Sequence, residues 1–435
     1  MPQVSVIVPS WKYWKNPLKL QPLWEMYYAT FIDSRFADFE VDIVDLREYG
    51  GHQRGSGIQE QDVYFYWIMK SADAHEIYGV VEQLRGAFPA SVHIAGGNHV
   101  DHHPKQCTQI FDAIVLGTAE ELVVKALQEW QAGELKSLYK TDEVYPFCNY
   151  PHPLRHYLPS HRIVNREHFS QYGGVVGTGV YFSRGCGFKC NFCVYNNPGS
   201  FEYRTPNQIA TEIEYLKTTY GVEGVNLRDE VCIPVNPRIA RGYLEAIGHG
   251  GVLWRGQTIP MGSEEMVKLA AESGCQELAL GIESVDSDAV LHISNKPSKS
   301  IENNRRYIEM LKKAGIKVKI CLIFGLPGES NRVLEKTIDF LEETEPDYVA
   351  VSGFDPVPGS PFFKKAEAYG IKNIDGDFSK HSHLLFRFGE DEDEDVGLPF
   401  EYEAETPYGP GRTRGDIVSD LQAIQSYLRE NNMCY

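Results

Sequence analysis

Short runs of apolar residues alternate with helix-like segments along the first 140 residues of the chain. Each run is continuously apolar, which is typical of parallel strands that are covered on both faces. Between the runs, apolar residues recur at helical spacing, as Ile77, Val80, Val81 and Leu84 do. This order predicts a doubly wound, Rossmann-like α/β domain over residues 1–140. The predicted strands are Val4–Val8, Val41–Val44, Val63–Met69, Val92–Ala95 and Ala113–Leu116.

The same alternation returns with greater regularity over residues 176–375. Thr205 and Ser263 precede helix-like segments as N-caps, and Gly315 follows one as a C-terminal cap. Six β/α units of this kind are too few for a closed eight-fold barrel, so we predict an open (β/α)6 partial barrel. The predicted strands are Val180–Ser183, Gly224–Leu227, Val252–Gly256, Glu277–Ile282, Ile316–Phe324 and Tyr348–Ser352.

Two stretches depart from the alternation of strands and helices. Residues 141–175 are rich in Pro, Tyr, Asn and His, which predicts an ordered linker between the two domains. Residues 376–435 are predicted to form a small C-terminal lid and helical segment. Within it, Glu390–Asp395 is a solvated acidic loop, Tyr402–Arg414 folds over the barrel mouth, and Asp416–Asn431 is an amphipathic helix.

The composition excludes several classes of protein. A net charge of −18 argues against a nucleic acid as the main partner, because such binding depends on clustered Lys and Arg. No stretch approaches the roughly 18 uninterrupted apolar residues of a membrane span, and the start of the sequence lacks the features of a signal peptide. The nine cysteines, an odd number, do not form a secreted disulfide framework. We therefore expect a cytoplasmic protein with no membrane span.

Three of the cysteines lie together in the segment Arg184–Cys193. Cys186, Cys190 and Cys193 have C-x3-C-x2-C spacing, and thiolate is the ligand that soft metals and iron–sulfur clusters select. Three thiolates can hold three corners of a cubane cluster and leave the fourth iron open to a ligand that is not protein. Two alternatives remain open here: a structural zinc ion with a fourth ligand from elsewhere in the chain, or three inert cysteines.

The motif resembles the signature of the radical S-adenosylmethionine (SAM) enzymes, C-x3-C-x-aromatic-C, whose aromatic position is Phe192 here. The resemblance implies a [4Fe–4S] cluster on Cys186, Cys190 and Cys193, with SAM bound at the open iron. It also implies that an electron from the cluster cleaves SAM to a 5′-deoxyadenosyl radical, which abstracts a hydrogen atom from a small-molecule substrate. A reductant such as flavodoxin or ferredoxin is the implied protein partner.

The resemblance also assigns roles to residues at the ends of the predicted strands, where the active sites of barrels lie. Phe192 is expected to lie against the adenine of SAM. The turn with Asp229 and Glu230 resembles the site that receives the SAM amino group or lines the substrate pocket. Each acid has an ordinary alternative role at the start of the following helix.

Two further strand ends complete the expected SAM site. Glu283 and Ser284 resemble the residues that hydrogen-bond the ribose or the carboxylate of SAM. Gly325, Leu326 and Pro327 resemble the turn that presents its backbone to the adenine. The alternative for such a glycine is a tight turn that binds no ligand.

The motifs of the N-terminal domain resemble the cobalamin-binding domain of one large, class B methylase-like subgroup of the family. The matching pieces are Ile94–His99, which contains Gly96 and Gly97, and Asp112–Glu120. The second piece reads Gly-Thr-Ala-Glu where the subgroup usually has Gly-Glu-Gly-Glu. Glycines after a strand let a bulky cofactor approach the backbone, but they also occur in the tight turns of domains that bind nothing.

The cobalt-ligating motif D-x-H-x-x-G has a weak counterpart at residues 50–55, which read Gly-Gly-His-Gln-Arg-Gly. The Asp is missing, and the segment follows the second predicted strand rather than the first. We interpret His52 as a loop histidine. If cobalamin binds, we expect no protein histidine on the cobalt.

These patterns predict a radical SAM enzyme that uses cobalamin to methylate an unactivated carbon of a small-molecule or natural-product substrate. The second hypothesis is a cobalamin-independent rearrangement, dehydration, decarboxylation or cyclisation with a vestigial N-terminal domain. The third is a non-catalytic metal-binding scaffold. The six cysteines outside the motif are scattered and do not form the C-x2-C…C-x2-C pattern of an auxiliary cluster, which argues against sulfur insertion.

Overall fold

The chain divides into two units, residues 1–165 and 166–435. The computed structural model describes residues 1–435 except 13, 15, 49–56, 118–119, 144, 195–200, 382–397 and 435. His52, Glu390–Asp395 and part of the Gly-Thr-Ala-Glu turn lie outside the described residues. The finer division at residues 140, 175 and 375 stays a prediction. Among the described residues, no helix is long and apolar enough to cross a membrane.

The first unit is built on a parallel sheet of six strands. They are β1 (Gln3–Val8), β2 (Glu40–Asp45), β3 (Val63–Trp67), β4 (Val92–Gly96), β5 (Ala113–Val115) and β6 (Leu138–Tyr139). Their order across the sheet is β2-β1-β3-β4-β5-β6. The winding direction therefore reverses between β1 and β3, and sheets of this type bind ligands in the crevice at such a switch point.

Helices connect these strands, and the doubly wound fold predicted from the sequence is confirmed. They are α1 (Leu23–Arg35), α2 (Ala74–Ala87), α3 (Asn98–His102), α4 (Pro104–Cys107), α5 (Glu120–Gln131) and α6 (Ser160–Ile163). The side chains of β3 are buried throughout, as expected for a parallel strand covered on both faces. The sequence analysis missed β6, because two residues are too few to give a hydrophobic period.

Glu25 lies in the first turn of α1 and is buried. Burial raises its pKa to about 8, and the nearby carboxylates of Asp73 and Asp45 act in the same direction. A carboxyl whose pKa is higher in the folded state stabilises the fold most below its unfolded pKa, and this contribution is lost as the pH rises through the folded pKa.

Between pH 6 and pH 8, we therefore expect the unfolding free energy of the unchanged protein to fall by about 2 kcal/mol more than that of a Glu25→Gln variant. Urea unfolding of both proteins at pH 6, 7 and 8 measures this difference. The two proteins share all other titrating groups, so parallel pH profiles would contradict the buried, titrating state of Glu25.

The second unit contains a second parallel sheet of six strands, with a separate antiparallel pair after its first strand. The strands in chain order are β7 (Gly177–Val180), β8 (Ser183–Arg184), β9 (Glu202–Tyr203), β10 (Gly224–Leu227), β11 (Leu253–Thr258), β12 (Cys275–Glu283), β13 (Lys317–Phe324) and β14 (Tyr348–Gly353). The sheet order is β14-β13-β12-β11-β10-β7, while β8 pairs with β9. The sheet is open, with β7 and β14 as its edges, so the predicted six-stranded partial barrel is confirmed.

Helices alternate with these strands. They are α7 (Pro206–Tyr220), α8 (Pro237–Gly250), α9 (Glu264–Glu272), α10 (Asp288–Ile293), α11 (Ile301–Lys313) and α12 (Val333–Thr344). The predicted caps form: the Thr205 side chain accepts from Gln208 N–H in a reciprocal capping box, and the Ser263 side chain accepts from Met266 N–H. The short helix α10 was not predicted from the sequence.

The chain after β14 folds as small elements and one long helix. They are α13 (Pro361–Lys364), β15 (Ile371–Lys372), β16 (Glu401–Tyr402), β17 (Glu405–Thr406), β18 (Gly409–Pro410) and α14 (Arg414–Glu430). The predicted stripe of α14 is buried, and the helix packs against β14. This places the C-terminal segment on the sheet of the second unit.

The first strand of the second unit differs from the predicted Val180–Ser183. Its sheet strand, β7, ends at Val180, and Ser183 already belongs to β8. The cause is Asp229, whose Oδ1 accepts hydrogen bonds from the backbone N–H groups of Phe182, at 3.0 Å, and of Ser183. These amides leave the sheet and direct the chain into the cysteine motif.

Candidate active site

The three motif cysteines follow β8, beyond the carboxyl end of β7, and all three have intermediate exposure. Cys190 interacts electrostatically with Cys186, and burial raises the pKa of Cys190 to about 11. No three His, Cys, Asp or Glu side chains of the described residues are arranged to hold a single metal ion. A cubane spreads its thiolates over three different iron atoms, so three soft sulfur donors on one loop fit this cluster.

Asn191, which lies between the second and third motif cysteines, fixes this loop. Its backbone N–H donates to the Ser294 carbonyl at 2.9 Å, and its side-chain amide donates to the Ile293 carbonyl at 2.7 Å. Its own carbonyl accepts from Phe362 N–H at 2.9 Å. The end of α10 and the start of α13 therefore hold the loop. This role could not be predicted from the sequence, because a C-x2-C spacing does not specify which residue stands between the cysteines.

The two acids after β10 have different surroundings. Asp229 is fully buried, and besides the two backbone amides it accepts a hydrogen bond from Tyr243 Oη at 3.1 Å. Burial raises its pKa to about 6. Glu230 is partly exposed and interacts electrostatically with Cys186. The carboxylate of Asp229 is thus occupied by protein donors that shape the cysteine loop, whereas Glu230 lies beside the loop; contact of either with SAM stays a prediction.

Glu283 ends β12 in an unusual conformation. Its φ of 69° lies in the left-handed region, and the register with β13 shifts between Gly281 and Glu283. Its Oε1 accepts a hydrogen bond from Lys296 Nζ at 2.9 Å. The same ammonium lies 5.6 Å from the centroid of the Phe192 ring. The structure thus brings Phe192 and Glu283 together around Lys296, a residue that the sequence analysis did not identify.

Ser284 and the turn after β13 meet at one carboxylate. Ser284 Oγ donates to Glu329 Oε1 at 3.2 Å, and Gly325 N–H donates to Glu329 Oε2 at 2.6 Å. Gly325 has a φ of 91°, which explains the glycine. Leu326 and Pro327 are buried. These contacts fix the turn, and its predicted contact with adenine is not tested by them.

The predicted lid packs on this same turn. Tyr402 Oη donates to the Gly325 carbonyl at 2.7 Å. Arg412 is buried and its Nη1 lies 3.4 Å from Glu329 Oε2, while its Nη2 donates to Asp420. The C-terminal segment therefore supports the turn at residues 325–329 from within the second unit.

In the first unit, packing inside the protein explains the two predicted cofactor glycines. A Cβ on Gly96 would lie 2.7 Å from Val115 Cγ2 and 2.8 Å from the Trp67 ring. A Cβ on Gly97, whose φ is 102°, would lie 2.6 Å from the Ile68 carbonyl oxygen. Gly96 leaves room for the side chains of Val115 and Trp67 on the neighbouring strands, and Gly97 lets the chain after β4 approach the backbone of Ile68. Glycine here is therefore not by itself a sign of a cofactor, and the contact of both residues with cobalamin stays a prediction.

The sequence profile of the Radical SAM superfamily matches residues 180–341 of this chain. The chain is 26% identical to bacteriochlorophyllide d C-12(1)-methyltransferase of Chlorobaculum tepidum over 67% of its length and 63% of that protein. It is 24% identical to anaerobic magnesium-protoporphyrin IX monomethyl ester cyclase of Cereibacter sphaeroides over 79% of its length and 60% of that protein. The chain thus spans somewhat less than two thirds of these two curated relatives.

A solved structure has the same fold over nearly the whole chain. It is the radical SAM methyltransferase TsrM from Kitasatospora setae with cobalamin and a [4Fe–4S] cluster bound, at a TM-score of 0.69 and 14% identity, covering 98% of this chain and 91% of that one. Enzymes of the radical SAM superfamily use SAM and a [4Fe–4S] cluster, so these two predicted cofactors are confirmed at the level of the family. Residues 180–341 thus form a radical SAM domain, and the chain as a whole shares its fold with a radical SAM methyltransferase that binds cobalamin.

Proposed function

We propose that this protein is a radical SAM methyltransferase that transfers a methyl group, by way of cobalamin, to a carbon atom of a small-molecule substrate. The observation that carries the proposal is the combination of a doubly wound sheet with a switch point and a six-stranded sheet with a three-cysteine loop. A methyltransferase among the relatives supports it, as does the likeness in fold to TsrM.

Cys186, Cys190 and Cys193 would hold the cluster. When bound, such a cluster binds SAM at its open iron and supplies the electron that cleaves it. Asn191 holds the loop in place through its hydrogen bonds to the end of α10. Of the predicted SAM contacts, we assign direct roles to Phe192, Glu230 and Glu283, which lie near the cysteines.

Asp229, Ser284 and Gly325–Pro327 are engaged with other parts of the protein, so we assign them positioning roles. Asp229 shapes the entrance to the cysteine loop through two backbone amides. Ser284 and Gly325 share the carboxylate of Glu329, which keeps two neighbouring strand ends in a fixed relation. In this proposal Asp229, Ser284 and Gly325–Pro327 do not bind SAM themselves but hold the strand ends that form its site.

The carboxyl edge of the first sheet has features that suit cobalamin. The indole N–H of Trp67, at the end of β3, is buried without a hydrogen-bond partner in the described structure, and the side-chain amide nitrogen of Asn98 is in the same state. A Cβ on Gly117 would meet no atom within 4 Å, so the backbone after β5 faces open space. Buried donors beside open backbone fit a ligand whose rim carries many amide oxygens.

Anaerobic reconstitution with iron, sulfide and hydroxocobalamin, followed by desalting, tests the proposal. We expect about four irons and about one cobalt per chain, the content of one cubane and one corrinoid. Trp67→Phe is expected to weaken cobalamin retention about five-fold, the effect of losing one hydrogen bond, with unchanged iron. Trp130→Phe, on α5, is the matched control and should retain cobalamin normally. Four irons without cobalt would refute the cobalamin part of the proposal.

Cyclisation is the second candidate, because the magnesium-protoporphyrin IX monomethyl ester cyclase relative aligns with 79% of this chain. The two reactions differ in their SAM-derived products. Methylation through cobalamin consumes one SAM as a methyl donor and gives S-adenosylhomocysteine beside 5′-deoxyadenosine. Cyclisation adds no methyl group to the substrate, so 5′-deoxyadenosine without S-adenosylhomocysteine would favour this second function.

A further inference from the structure

Lys296 is a buried cation in direct reach of the cysteine loop. It is 3% exposed, and its ammonium interacts electrostatically with Cys190 and Cys193 as well as with Glu283. Its Nζ donates to Glu283 Oε1 at 2.9 Å, and this ion pair stabilises the charged ammonium in its buried position. The side chain therefore carries its positive charge beside two of the three motif cysteines.

The surrounding fold makes room for this ammonium. A Cβ on Gly281 would lie 2.7 Å from Glu283 Oε1 and 3.4 Å from Lys296 Nζ, so a larger residue there would meet the ion pair. The left-handed backbone of Glu283, with a φ of 69°, is strained for a residue with a side chain. Conformations of this kind persist only where the neighbouring structure requires them.

The backbone of Lys296 is tied to the cysteine loop as well. Its N–H donates to the Leu291 carbonyl at 3.0 Å, which fixes it to α10. The side-chain amide of Asn295 donates to the Lys189 carbonyl at 2.7 Å, next to Cys190. The backbone hydrogen bonds of this loop and the side-chain ion pair with Glu283 thus together fix the position of the Lys296 ammonium relative to the cysteines.

We propose that Lys296 sets the reduction potential of the cluster held by Cys186, Cys190 and Cys193. Reduction adds one electron to the cluster, so a fixed positive charge near its ligands stabilises the reduced form and raises the potential. Glu283 opposes part of this effect, and Lys296 is the stronger influence on Cys190. The inference rests on the proposed cluster site and adds a determinant of its redox behaviour.

The test is an anaerobic potentiometric titration with dithionite of the reconstituted protein, followed by electron paramagnetic resonance of the reduced cluster. Lys296→Met is expected to shift the reduction equilibrium about ten-fold towards the oxidised form, which is about 59 mV for a one-electron couple. Lys189→Met is the matched control: this lysine lies between Cys186 and Cys190 but is exposed, so water and salt screen its charge. The cluster of Lys189→Met should have the same reduction potential as the cluster of the unchanged protein.

Two further variants separate charge from packing. Lys296→Arg keeps the charge and should keep the potential, whereas Glu283→Gln removes the opposing charge and should raise it. If Lys296→Met loses the cluster, Lys296→Gln decides: a lowered potential supports the role of Lys296, and an unchanged one overturns it. If Lys296→Met binds four irons and keeps the original reduction potential, the inference about Lys296 is refuted while the cluster site stands. If the protein without any substitution binds no cluster, both the cluster site and the inference are refuted.

Discussion

A Cys190→Ala variant is expected to lose SAM cleavage, by about 1,000-fold or more, since even the loss of an outer partner of a metal ligand costs about 10–100-fold. Cys190 is the middle residue of the three-cysteine loop, and two thiolates cannot hold three corners of a cubane. The variant should also retain less iron after anaerobic reconstitution. The measurement is 5′-deoxyadenosine formed with dithionite and SAM, together with iron and sulfide per chain.

Cys434→Ala is the matched control for this substitution. Cys434 is exposed near the C-terminus and lies outside the motif, so its loss removes one thiol without touching the loop. It should show normal iron content and normal SAM cleavage. Retained cleavage in Cys190→Ala, or an equal loss in both variants, would overturn the assignment of the motif as the cluster site.

Local patterns explain why so much of the fold could be predicted. Strands such as β3 are buried on both faces, so each leaves a continuous apolar run that the sequence displays directly. The errors occurred where local signals are short or absent. The two residues of β6 carry no period, and the end of β7 is decided by Asp229, which lies 46 and 47 residues away from the amides that it binds.

The same distinction applies to the site. The cysteine motif is visible because its three ligands lie close together in sequence, but Lys296 acts from the loop after α10 and is recognised only through its contacts. Gly96 was predicted to let a cofactor approach the backbone, whereas the atoms that crowd it belong to Val115 and Trp67. Sequence patterns therefore indicate which positions are constrained, while the structure identifies the partner responsible.

The buried pair of Arg412 and Glu329 is another long-range contact of this kind, since 83 residues separate its members. The Arg412 side chain is 4% exposed and that of Glu329 is 0% exposed. Removal of one member of a buried ion pair costs about 3–5 kcal/mol. Burial raises the pKa of Glu329 to about 8 even though Arg412 opposes this shift, so without Arg412 the carboxyl must bind a proton or remain as an uncompensated charge. We therefore expect Arg412→Leu to lower the unfolding free energy of the protein by about 3 kcal/mol, as measured by urea unfolding.

The same substitution should weaken SAM binding, because Arg412 steadies the turn that Gly325 begins. Arg332→Leu is the matched control: it breaks an exposed pair with Glu335 on the surface of α12 and should change neither stability nor SAM affinity.

Adding Glu329→Gln to Arg412→Leu should restore part of the lost stability, since a neutral amide does not need a cation beside it. Equal effects of Arg412→Leu and Arg332→Leu would show that the buried contact is not what holds the C-terminal segment against the turn. A loss of SAM affinity with full iron content would instead locate the defect in the turn rather than in the cysteine loop, and would make the C-terminal segment a working part of the SAM site.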